Sequence, residues 1–94
     1  MKVTDIKAHE GNPIPSAFDP YGLTAFGGIT FKVSGAQVST PTYDRFTDYI
    51  YVGGKEYRLS AEDRIHVCNF IQAIWNLKEA DMEVPDIVLK LVNN

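Results

Sequence analysis

Tyr49-Ile50-Tyr51-Val52-Gly53-Gly54-Lys55-Glu56-Tyr57-Arg58-Leu59-Ser60 is the stretch that decides the fold of this chain. Four β-branched and aromatic residues favour a strand. Gly53-Gly54 is a two-residue turn suited to φ > 0 at both positions. Lys55 to Leu59 is the return strand. A two-residue loop fixes the pairing: Val52 faces Lys55, Tyr51 faces Glu56, Ile50 faces Tyr57 and Tyr49 faces Arg58. Alternation then puts Ile50, Val52, Tyr57 and Leu59 on one face, the better core. Tyr49, Tyr51, Glu56 and Arg58 fall on the other.

Downstream, Ser60 caps a helix, and Asp63 stands where a capping box carries its acid. The helix is expected over 60–80, with Ile65 among its apolar residues. At about 100° per residue, Val67, Cys68, Phe70, Ile71, Ile74, Trp75 and Leu77 gather on one half of the circumference. Glu62, His66, Asn69, Gln72 and Asn76 lie on the other. A short acidic link follows. Residues 85–92 are expected as a second, short helix with an apolar stripe of Ile87, Val88, Leu91 and Val92. Proline suits the first helical position, here Pro85. A terminal strand is the alternative for these β-rich residues.

Upstream, Ile29, Phe31 and Val33 alternate with Thr30, Lys32 and Ser34, which predicts a strand with one buried face. Ser34-Gly35-Ala36 turns it, Gln37 to Thr40 returns, and Pro41 ends the return strand. Thr42 to Thr47 reads as a loop. Residues 1–28 read as irregular, since Pro13, Pro15, Pro20 and several glycines interrupt any long element. Val3 to Ala8 reads as a short strand, but Val3 and Ile6 are out of phase for alternation, which a bulge or a short helical turn explains equally well. Residues 11–28 read as a long loop anchored by Phe18, Tyr21 and Phe26. The fold class is therefore α+β. A small antiparallel sheet of hairpins is packed on one face by an amphipathic helix, with a short C-terminal helix, in a single domain over 1–94.

Composition bounds the function. The chain has 94 residues, 45% of them hydrophobic and 22% charged, and a net charge of −3. That size buries a modest core without disulfide or metal. The acidic balance argues against direct nucleic-acid binding, which favours basic surfaces. One cysteine precludes an intrachain disulfide and fits a reducing compartment. Met1-Lys2-Val3-Thr4-Asp5 meets an acid before any apolar run, unlike a secretory leader. No apolar stretch reaches membrane-spanning length. The expectation is a cytoplasmic protein with no membrane partner.

No catalytic or cofactor constellation stands out, so the reading is non-enzymatic, with no cofactor and no metal. His66 and Cys68, two residues apart on a helix, point about 160° apart and cannot work as a pair. His9-Glu10 reads as a polar turn rather than a metal ligand set. Gly27-Gly28 precedes a strand, not a helix, and so lacks the setting of a phosphate-binding loop. Tyrosine and arginine are enriched in binding hot spots, which singles out Tyr49, Tyr51 and Arg58, with Glu56 beside them. The competing reading is a second small core, with Phe46, the N-terminal segment or the 11–28 loop covering that face. Glu79, Asp81, Glu83 and Asp86 form an acidic patch that Asp44 and Asp48 would extend, suited to a basic groove on a partner. Its plainer reading is solubility.

Glu56-Tyr57, Ser60, Phe70-Ile71, Ala73 and Asn76 resemble the strand-to-helix segment of small phage-encoded anti-CRISPR proteins that inhibit type II-A CRISPR nucleases. The resemblance implies a short acidic α+β inhibitor of a host protein or ribonucleoprotein, acting in the host cytoplasm. The Pro- and Gly-rich N-terminal third has no counterpart there, and no residue role is carried over. The expected function is a protein-binding inhibitor that blocks a functional surface of a host effector. The alternatives are a small structural or assembly subunit, such as a homo-oligomeric phage protein, and a small enzyme or ligand binder with the 11–28 loop as a lid over Phe18, Tyr21 and Phe26.

Overall fold

Gly53 and Gly54 adopt φ of 60° and 85° in the computed structural model, which describes residues 1–8, 28–40 and 48–94. This is the backbone twist that lets a two-residue loop join two antiparallel strands without splaying them. The strands it joins, β4 (Tyr49–Val52) and β5 (Lys55–Arg58), pair in the register read from the sequence: Tyr49 with Arg58, Ile50 with Tyr57, Tyr51 with Glu56 and Val52 with Lys55. Ser34 and Gly35 repeat the device at φ of 52° and 80°. They join β2 (Ile29–Val33) to β3 (Ala36–Thr40).

Residues 2–8 are not irregular. They form β1 (Lys2–Ala8), the longest strand of the sheet, which pairs antiparallel with β2. Its out-of-phase pattern has a single cause. Thr4 lies opposite Lys32 and Lys7 opposite Thr30, so three steps along β1 match two along β2. The extra residue is a β-bulge at Asp5-Ile6, with Asp5 at φ 51°. Aspartate tolerates this left-handed conformation better than most residues. The bulge resets the phase, so Val3 and Ile6 are both buried.

A further strand, β6 (Ala80–Asp81), lies where an acidic link was expected, and pairs with Lys2 and Val3 of β1. The sheet order is β5-β4-β3-β2-β1-β6, all antiparallel. The first five strands form a meander, and β5 and β6 occupy opposite edges. The chain between them must cross the whole sheet, five spacings or roughly 24 Å. Helix α1 (Ala61–Ile74) does this with 14 residues, about 21 Å of rise.

The Ser60 hydroxyl caps α1 by accepting from the Asp63 N–H at 3.1 Å. The helix ends at Ile74, six residues short of the expected boundary, and the Leu77 N–H closes onto the Ile74 carbonyl. Leu77 is therefore outside the helix and 43% exposed, and Ile65, on its outer side, is 60% exposed. Neither belongs to the core. Val67, Phe70, Ile71 and Ile74 do, against Val3, Ile6, Ile29, Phe31, Val33, Val38, Ile50 and Val52 of the sheet. Tyr57 and Leu59 pack at its margin. Phe31 and Phe70 meet edge to face at 5.5 Å, directly beside the bulge. Thr40 is buried, and its hydroxyl accepts from the Ile29 N–H at 3.3 Å.

Helix α2 (Asp86–Val92) starts after Pro85, which is its cap residue rather than its first helical one. It buries Val88, while Ile87, Leu89, Leu91 and Val92 pack partly buried against the core.

Candidate functional site

The polar face of the β4–β5 hairpin is built by the two-residue turn. Because Gly53-Gly54 locks the register, Tyr49 and Tyr51 emerge on the side away from α1, opposite Arg58 and Glu56 respectively. Both tyrosines are half-buried, and Glu56 and Arg58 are exposed. The two rings meet at 5.7 Å and 86°, an edge-to-face contact that fixes each against the other. Partial burial raises the Tyr51 phenol above the ordinary tyrosine value of 10.0. The facing Glu56 carboxylate acts in the same direction, as do Tyr49 and its hydrogen bond. Tyr51 is thus a neutral donor at physiological pH. Of the covers considered for this face, Phe46 and all of the 11–28 loop but Gly28 lie outside the described residues, and the N-terminal Lys2–Ala8 is a strand of the sheet, three strands from β4.

The acidic residues do not extend this patch. Asp48 is occupied, accepting from the Arg64 guanidinium at 2.8 Å and tying the start of β4 to α1. Asp81 sits on β6, where it accepts from the Met1 ammonium at 3.0 Å. Four strand spacings, about 19 Å, separate β6 from β4. Glu79 and Glu83 flank β6 and are exposed. The sequence reading joins Glu79, Asp81 and Glu83 to Asp48, but the sheet order sets β6 four strand spacings from the start of β4, where Asp48 stands. Asp44 lies outside the described residues, as do His9, Glu10 and Gly27.

His66 is exposed and Cys68 buried, on opposite sides of α1. Among the described residues, no group of three or more His, Cys, Asp or Glu stands close enough to hold a metal ion. Among the described residues, no helix is long and apolar enough to cross a membrane.

A feature that the sequence reading missed is an open groove of about 500 Å³ between α1 and the 82–87 segment. Phe70, Ala73, Met82, Val84 and Ile87 give it apolar walls. Glu62, Asp63, Glu83 and Asp86 supply carboxylates from both sides. His66 also lines it, with Nε2 4.0 Å from Glu62 Oε1. The signal was present as two separate patterns. Glu62, His66, Asn69 and Ala73 recur at helical spacing, and Met82-Glu83-Val84-Pro85-Asp86-Ile87 sets apolar residues among acids. Only the fold brings them together.

The chain matches no family model, no curated protein and no solved structure.

Proposed function

We propose that this protein is a non-enzymatic binding module that docks a protein partner on the polar face of its β4–β5 hairpin. The observation that carries the proposal is the Tyr49–Tyr51 pair. Two aromatic side chains are held edge to face on a paired strand, flanked by an acid and a base. Tyrosine offers large contact area and a hydrogen-bonding hydroxyl for little rotamer entropy. Holding it in place before binding lowers the ordering cost of association. Arg58 and Glu56 add polar contacts that select among partners.

The narrower form of this reading is inhibition: the module occupies a functional surface of a host effector, as the anti-CRISPR resemblance implies. It would act in the cytoplasm, with no cofactor. The first test is a tagged pull-down from bacterial lysate, read by mass spectrometry, with the Tyr49→Ala/Tyr51→Ala double variant in parallel. A stoichiometric partner retained by the parent and lost by the still-folded variant is the expected outcome. A partner that survives the substitutions, or a variant that unfolds, removes this face as the site. A discrete homo-oligomer with no other partner would replace the reading with a structural subunit. Adding the purified protein to a type II-A CRISPR nuclease tests the narrower form, which requires stoichiometric loss of DNA cleavage.

A further inference from the structure

We infer that the groove between α1 and the 82–87 segment is a second docking site, for a basic peptide segment of a partner protein that alternates cationic and apolar side chains. The inference is independent of the tyrosine face, which lies on the other side of the sheet. The groove's volume of about 500 Å³ falls within the range of roughly 300–1,000 Å³ usual for ligand sites. Charge complementarity names the occupant. Four carboxylates line the groove, two from the first turn of α1 and two from the opposite wall, and none of its described lining residues is Lys or Arg. Asp48 and Asp81 have cationic partners, Arg64 and the Met1 ammonium; no such pair is seen for Glu83 or Asp86 among the described residues. Phe70, Ala73, Met82, Val84 and Ile87 line the same groove. A small polycation would leave that apolar surface wet. A peptide with arginine or lysine at alternate positions satisfies both components: its charges meet the rim and its apolar side chains meet the floor. The groove is open to the surface, so a segment of a partner reaches it from outside.

The test uses the whole chain, ¹⁵N-labelled, titrated with an acetylated and amidated hexapeptide of alternating arginine and leucine. Amide shifts should gather at Asn69, Ala73, Glu83 and Ile87. Glu62→Gln/Glu83→Gln removes one charge from each wall at exposed positions and should weaken binding at least tenfold. Ala73→Arg, on the exposed side of α1, places a cation in the groove and should abolish the shifts while leaving the rest of the spectrum in place. Shifts confined to the tyrosine face overturn the inference, as does unchanged affinity in both variants. Equal binding of an alternating glutamate–leucine peptide also overturns it, by removing the charge argument. Spermidine binding as tightly as the peptide would assign the groove to small polycations instead.

Discussion

The two ends of the sheet reach the same core face by opposite routes. At β4–β5, strict alternation and two glycines keep every side chain in phase, so Ile50 and Val52 point inward without correction. At β1, the alternation fails, and one extra residue at Asp5-Ile6 restores it, so Val3 and Ile6 both point inward. The lesson is that a strand's phase belongs to the ladder, not to the spacing of its apolar residues. A bulge lets residues three apart share a face.

The largest blow to this comparison would fall on Phe70, which packs against Phe31 beside the bulge. Phe70→Ala should cost about 3–5 kcal/mol in urea unfolding, and a variant that unfolds at the parent's midpoint would show that the bulged end is loosely packed. Backbone strain distinguishes the ends more finely. Gly54 at φ 85° and Asp5 at φ 51° both occupy left-handed conformations. Gly54→Val and Asp5→Val should each lose about 1–2 kcal/mol. Asp5→Gly should stay within about 1 kcal/mol of the parent, since the relief of strain is offset by a more flexible unfolded chain. Should Asp5→Val match the parent, the bulge would have to lie elsewhere along β1. The smallest effect concerns pH. The folded state holds the Tyr51 proton more tightly than the unfolded chain does. This contribution is complete below pH 10, and lost as pH rises through the raised value. Tyr51→Phe should therefore flatten the parent's decline in stability above pH 10, measured by urea unfolding at stepped pH.

The legible parts of the fold were those written in local chemistry. Gly53-Gly54 set a register, Ser60 capped a helix, and Ile29, Phe31 and Val33 marked a buried face. Local chemistry was silent where the fold depends on distant partners. Nothing between Trp75 and Val84 is a glycine or proline, so the apolar pattern ran on to Leu77 and concealed the helix end. The chain leaves the helix because Ala80 and Asp81 pair with Val3 and Lys2, and the Ile6 N–H donates to the Lys78 carbonyl. A two-residue strand has no periodicity to reveal it. The same limit governed the sites. The tyrosine face follows from one hairpin and was readable, whereas judging whether Asp48 meets the β6 acids required a sheet order that no hairpin specifies. The groove joins a helix side assigned to solvent with a link assigned to solubility.

The Asp5 bulge has a consequence for how the protein keeps to itself. β6 pairs only with Lys2 and Val3, and the Ile6 N–H is taken by the Lys78 carbonyl; the rest of Thr4 to Ala8 has no ladder partner on that side among the described strands. A flat, regular strand in that position would offer its backbone groups to any passing chain in an extended conformation. Asp5 interrupts the row in the middle of this stretch, and Lys7 adds an exposed charge beyond it. The residue that brings Ile6 into the core thus also makes the strand a poor template for aggregation.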